Sequence, residues 1–101
     1  MPLNKPKILP AAHNDIQQIV DYLLSNSKQA AAAFSQALDR AQEQLALFPE
    51  SAPVSKNVRL AGKKYRVLVL VYNYLLFYKI QKQTVIVYRI LNGKRNYGEF
   101  V

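Results

Sequence analysis

The chain has 101 residues, half of them hydrophobic, and carries a formal net charge of +8 with an isoelectric point near 9.9. This length suits a single domain, residues 1–101, and is too short for two. With no cysteine and a single histidine, His13, the chain offers neither a disulfide framework nor a histidine–cysteine zinc cluster, so we expect no metal and no cofactor.

The first predicted elements are a short strand and a helix. Residues 5–9 contain Pro6 and end before Pro10, which fits a strand at a sheet edge, where proline is tolerated. A helix is predicted over residues 11–25, because its apolar side chains recur at helical spacing on one side. These side chains are Ile16, Ile19, Val20, Leu23 and Leu24.

A second helix is predicted over residues 28–47. The alanines at 30–33 are strong helix formers, and larger apolar residues continue the same stripe on both sides of them. Ser27 is suited to cap the start of this helix, and Pro49 ends it. Since the two helices are joined by so short a link, they are expected to fold back on each other and to cover one face of a sheet.

That sheet is predicted from a β-meander over residues 64–97. Residues 58–62 are expected to form the beginning of the meander. Three runs rich in Val, Leu, Ile and Tyr are broken at residues 72–73 and at residues 81–83, a pattern typical of strands joined by tight turns. The predicted fold is therefore α+β, with a helical hairpin on one face of a mostly antiparallel sheet of four to five strands, in the order β-α-α-β-β-β.

A two-residue turn at 72–73 would pair Val69 with Leu76 and Arg66 with Lys79. The face predicted to meet the helices consists of Tyr65, Val67, Val69, Val71, Tyr74, Leu76, Tyr78 and Ile80. The open face consists of Arg66, Leu68, Leu70, Leu75, Phe77 and Lys79. Arg89 lies on the third strand and has no predicted face, because the loop after Ile80 fits either two or three residues.

The positive charge is concentrated in the sheet half of the chain. Residues 1–53 carry four Lys or Arg against five Asp or Glu, whereas residues 54–101 carry ten against one. Such a one-sided distribution favours binding of a polyanion or an acidic protein. No apolar run comes near the roughly 18 residues of a spanning helix, and the first residues lack the apolar stretch of a signal peptide, so a cytoplasmic location without membrane contact is expected.

The last predicted strand runs into the sequence VYRILNGKRNY, in which an Arg-Ile-Leu-x-Gly-x-Arg run is followed by a tyrosine. With the segments LPAAHNDI, IVDYLLSN, LALFPE and YNYLLFYKI before it, this ending resembles the RelE/ParE superfamily of toxins from bacterial type II toxin–antitoxin modules. The resemblance covers almost the whole chain. It implies growth inhibition as the biological output and a cognate acidic antitoxin as a partner.

In the branch similar to RelE, the toxin enters the ribosome and cleaves mRNA without a metal, using cations on the open face of the sheet and a C-terminal tyrosine. The resemblance places Arg66 and Arg95 at catalytic positions. Tyr97, or alternatively Tyr88, is the candidate to substitute for the tyrosine. Three positions depart from that branch, because Leu68 and Leu75 replace cations and Val101 replaces the tyrosine. Ribosome-dependent mRNA cleavage is nevertheless the leading hypothesis from the sequence, with ribosome and mRNA as partners.

Two other members of the superfamily remain alternatives. The branch similar to ParE inhibits DNA gyrase by protein–protein contact and needs no such catalytic set, and an inactive member would only bind its antitoxin. A free-standing nucleic-acid-binding module would explain the charge but not the closing motif. The residues predicted to bind nucleic acid or antitoxin are Arg59, Lys64, Lys79, Arg89 and Lys94.

Overall fold

In a computed structural model of the protein, residues 5–94 and residue 101 are described. The helices are α1 (Pro10–Asn26), α2 (Lys28–Leu47) and the short α3 (Val58–Gly62). The strands are β1 (Lys7–Ile8), β2 (Arg66–Val69), β3 (Tyr74–Gln81) and β4 (Thr84–Asn92). None of the helices described is long and apolar enough to cross a membrane.

The four strands form one sheet in the order β1-β4-β3-β2. β1 runs parallel to β4, while β4, β3 and β2 form the antiparallel meander. The two long helices pack on one face of this sheet, which confirms the predicted α+β class. Their ends are also close to prediction, since the Ser27 hydroxyl accepts a hydrogen bond from the Ala30 N–H at 3.2 Å and α2 ends two residues before Pro49.

The main core lies between the helical hairpin and the sheet. Tyr78 and Phe34 are the largest side chains fully buried there. The hydrophobic residues buried in this core are Ala12, Ile19, Leu23, Ala31, Phe34, Leu38, Ala41, Leu45, Ala52, Leu70, Tyr74, Leu76, Tyr78, Val85, Val87 and Ile90.

A second, smaller core lies on the opposite face of the sheet. Leu60 of α3 is fully buried there against Tyr65, Phe77 and Leu91. Partly buried residues around this cluster are Val67, Leu75, Tyr88 and Val101. The expectation that residues 58–62 open the meander is therefore wrong, because they form a helix whose first turn is capped by the Asn57 side chain and whose leucine covers the sheet.

The predicted register of β2 is also wrong by one residue. Arg66 pairs with Tyr78 and Leu68 with Leu76, because the connection to β3 is a three-residue turn, Val71–Asn73, in which both Tyr72 and Asn73 have positive φ. A shift of one residue moves every side chain of a strand to the other face. The sides predicted for Leu76 and Tyr78 on β3 are confirmed, whereas those of the β2 residues are reversed.

A tight hairpin and a bulge set the register of β4. Lys82 and Gln83 both have positive φ and form a two-residue turn, so Gln81 pairs with Thr84. Further along, Tyr78 pairs with Val87 but Phe77 pairs with Arg89. The additional residue of this bulge increases the local twist at the point where β4 approaches α1.

Candidate functional site

The predicted site residues lie at the two opposite ends of the meander. The hairpin end contains the turn at residues 82–83, and the exit end contains the Val71–Asn73 turn and the end of β4. Arg59, Lys64 and Lys79 lie on the face of the sheet that α3 covers, near the start of β2. Lys94 lies at the exit end, a full strand length away.

Arg66 lies on the helix side of the sheet and not on the open face. Its guanidinium donates a hydrogen bond to the Ala52 carbonyl at 2.7 Å and a longer one to the Glu50 carbonyl at 3.5 Å. The neighbouring Tyr78 hydroxyl donates to the Pro49 carbonyl at 2.7 Å. Together the two side chains hold the connection between α2 and α3 against the sheet. The open face predicted for Arg66 is therefore wrong, because that prediction followed from the register of β2.

Arg89 is held by a carboxylate that sequence reasoning missed. Its Nε and Nη2 donate to the Asp15 carboxylate of α1 at 2.7 and 2.9 Å, and the Ile90 N–H donates to the same carboxylate at 3.0 Å. The Asp15 side chain is only 8% exposed. These hydrogen bonds raise the pKa of Arg89 above its ordinary value. The pair ties the start of α1 to β4.

Asp15 gave a signal in the sequence that could have identified it. The buried positions of α1 are Ala12, Asp15, Ile19 and Leu23, so the aspartate occupies the apolar stripe at helical spacing. A carboxylate at such a position requires a buried partner. Arg89, a cation inside an apolar strand, was the candidate for that partner.

Lys79 projects over aromatic rings on the face opposite the two long helices, the face predicted for it. Its ammonium lies 4.4 Å from the centre of the Tyr65 ring and 5.1 Å from that of Tyr88. The two rings meet edge to face at 5.2 Å, and Gln81 donates to the Tyr88 hydroxyl at 3.3 Å. Burial raises the pKa of Tyr65. The charge of Lys79 is thus stabilised by cation–π attraction.

The exit end is fixed by a close approach between two turns. The Gly93 N–H donates to the Asn73 carbonyl at 2.8 Å, and a Cβ on Gly93 would lie 2.9 Å from Asn73 Nδ2. That Cβ would also lie 3.0 Å from the Asn73 carbonyl oxygen, so a residue larger than glycine requires the two turns to shift slightly. Asn92 then accepts a hydrogen bond from the Lys94 N–H at 2.9 Å, and the Lys94 side chain is exposed. Arg95 and Tyr97 lie outside the described residues.

Three shallow clefts open on the described surface. One of about 180 Å³ adjoins the exit end and is lined by Asp15, Gln18, Ile19, Tyr22, Tyr74, Ile90, Leu91 and Asn92. A second of about 530 Å³ is lined by Lys5, Pro6, Asp39, Gln42, Glu43, Ala46 and Leu47. A third of about 600 Å³ is lined by Leu47, Phe48, Pro49, Glu50, Ser51, Ile80 and Gln83.

The face opposite the two long helices, where ribonucleolytic relatives would carry cations, is apolar in its described middle. Leu75 is half-buried in the small core, and Val101 packs against the same cluster. Leu68 points to the opposite side, toward the helices. The positions that depart from the ribonuclease pattern therefore contribute to packing.

A family model of the ParE toxin of type II toxin–antitoxin systems, parDE, matches residues 7–97. The chain belongs to the ParE toxin family. Membership in a toxin–antitoxin system implies an antitoxin partner. It agrees with the resemblance to the RelE/ParE superfamily that the sequence motifs indicated.

A solved structure has a similar fold. The chain is similar to a protein of the chromosomal ParDE toxin–antitoxin system from P. aeruginosa, with a TM-score of 0.66 and 16% sequence identity over 89% of this chain and 96% of that one. At this identity the likeness shows the fold alone. No curated protein matches the sequence.

Proposed function

We propose that this ParE-family toxin inhibits growth by binding DNA gyrase rather than by cleaving mRNA. The observation that carries the proposal is the position of Arg66. Ribonucleolytic chemistry on this fold needs cations on the open face, where they stabilise the charge that develops on a phosphate. Arg66 instead lies on the helix side, with its guanidinium bonded to the carbonyl of Ala52.

The surrounding residues support the same conclusion. Leu75 and Val101 form part of an apolar cluster at the place where the ribonuclease pattern has a cation and a tyrosine. A general acid or base has to reach the reacting hydroxyl, and an apolar side chain cannot transfer a proton. A toxin that acts by protein contact has no such requirement, so these positions are free to stabilise the fold.

We also propose that charge directs the antitoxin to the sheet half of the chain. Ten of the fourteen Lys and Arg residues follow residue 53, against a single acidic residue in that half. An acidic antitoxin segment is therefore attracted to the sheet half, and its association rate is expected to fall as salt is added.

A matched pair of variants tests the role of Arg66. Arg66→Gln and Tyr78→Phe each remove a hydrogen bond between the sheet and the α2–α3 connection. We expect similar, small losses of stability, about 1 kcal/mol each, and growth inhibition in both variants. If Arg66→Gln abolished growth inhibition while remaining folded, and Tyr78→Phe did not, a catalytic Arg66 would be supported and the proposal would be wrong.

A further inference from the structure

A group of cations surrounds α3 and the hairpin end. Five of them are exposed and Lys79 is half-buried. The group, here called the basic surface, consists of Lys56, Arg59, Lys63, Lys64, Lys79 and Lys82. Within the described residues, none of these cations has a carboxylate within 4.0 Å, the ion-pair limit that Asp15 and Arg89 do satisfy.

The local sequence leaves this surface without compensating charge. Residues 51–94 contain no Asp or Glu. Cations that stabilise only the fold are usually interspersed with carboxylates, because like charges repel one another across a surface. Six cations without acidic neighbours in sequence therefore maintain a positive potential that attracts an anionic ligand.

Backbone hydrogen bonds fix the segment that carries Lys63 and Lys64. The N–H groups of Lys63 and Tyr65 both donate to the Leu60 carbonyl, and the Lys64 N–H donates to the Ala61 carbonyl. Leu60 itself is fully buried against the sheet. The end of α3 is thus fixed on the sheet beside Tyr65, over whose ring the Lys79 ammonium lies.

We propose that the basic surface binds the phosphate backbone of duplex DNA, and that the DNA in question is the segment held by gyrase. This inference rests on the proposed function. Phosphates are contacted by Lys and Arg side chains at intervals along a backbone, and this mode of binding needs no pocket. An acidic peptide bound by a cluster of cations is the other possible ligand, and the test below distinguishes it from the duplex. The three clefts described above are lined by other residues.

The test compares two triple variants that lose the same charge. Lys56, Arg59 and Lys63 are replaced by Gln in one variant, and three exposed cations of the other half, Lys7, Lys28 and Arg40, are replaced by Gln in the control. Circular dichroism first establishes that both are folded. Binding to a labelled duplex of about 20 base pairs is then measured by fluorescence anisotropy between about 50 and 200 mM salt, a range over which phosphate contacts weaken strongly.

For the wild type, six phosphate contacts predict an affinity loss of about a thousandfold across this range. The basic-surface variant is expected to lose only about 50-fold, because it makes three contacts fewer, and the control is expected to behave like the wild type. Equal salt dependence in the two triple variants would overturn the proposal. So would tighter binding of polyglutamate than of the duplex at equal charge concentration, which would identify an acidic protein segment as the ligand.

A separate measurement distinguishes this inference from the function on which it rests. Wild-type protein is tested for binding to immobilised gyrase in the absence of DNA. A failure to bind gyrase would contradict the proposed function. The salt dependence of duplex binding is independent of that result, so the two failures are distinguishable.

Discussion

Removal of the Asp15 carboxylate is predicted to destabilise the fold strongly. Asp15→Ala eliminates both hydrogen bonds from Arg89 and the one from the Ile90 N–H. A buried N–H left without an acceptor costs about 1–3 kcal/mol. The Arg89 side chain is 25% exposed, so it regains water and costs less than the roughly 3–5 kcal/mol of a fully buried broken pair. We expect a total loss of about 3 kcal/mol.

The free energy of unfolding is measured from urea titrations followed by circular dichroism. Asp15→Asn keeps an acceptor for the Ile90 N–H but loses the charge, so about 1–2 kcal/mol is expected. Asp21→Ala serves as the matched control, because Asp21 is an exposed acid on the same helix whose side chain accepts from Gln17. We expect Asp21→Ala to change the stability by less than about 0.5 kcal/mol.

The pairing itself is tested by a double-mutant cycle with Arg89→Met. Since the two side chains share hydrogen bonds, the double variant is expected to lose at least about 1 kcal/mol less than the sum of the single losses. Additive losses would mean that Asp15 and Arg89 stabilise the fold independently. A loss below about 1 kcal/mol for Asp15→Ala would show that the three hydrogen bonds to this carboxylate do not stabilise the fold as proposed.

Three further predictions concern the turns, the tyrosines and a helix cap. Gly93→Ala is expected to lower the free energy of unfolding by about 1 kcal/mol, because its Cβ would lie 3.0 Å from the Asn73 carbonyl oxygen, and an unchanged urea midpoint would contradict this close approach. The free energy of unfolding is expected to fall as the pH rises above about 10. Burial raises the pKa of several tyrosines, so the unfolded chain loses its tyrosine protons at a lower pH than the folded protein does. A free energy of unfolding that did not change above about pH 10 would show that these hydroxyls are not desolvated. These residues are Tyr65, Tyr74 and Tyr78. Ser27→Ala is expected to cost about 1 kcal/mol by thermal unfolding, whereas Ser25→Ala, whose exposed hydroxyl donates within its own helix, is expected to cost much less; equal losses would argue against the cap.

The helical half of the fold was predictable because its signals are local. The apolar stripe of α1, the alanines of α2 and the Ser27 cap each act within a few residues of sequence, and the structure places both long helices within two residues of the predicted ends. The sides of the β3 residues were predictable for the same reason. Alternation along one strand is a local pattern that needs no knowledge of its neighbours.

The register of β2 was not predictable from local patterns. The turn contains Tyr72 and Asn73 at positive φ, and a tyrosine rarely adopts that conformation, so its sequence gives no indication of a three-residue turn. The placement of Arg66 follows directly from this turn. Asp15 and Arg89 are 74 residues apart, and only the packing of α1 on β4 brings them together.

We propose that this ParE-family toxin acts on gyrase and not as a ribonuclease. Purified protein is added in increasing amounts to a gyrase supercoiling reaction, and in parallel to a translating ribosome–mRNA complex whose message is examined for cleavage. Dose-dependent loss of supercoiling with intact mRNA is expected. Cleavage of the mRNA within translated codons, with supercoiling unaffected at the same concentrations, would contradict the proposal.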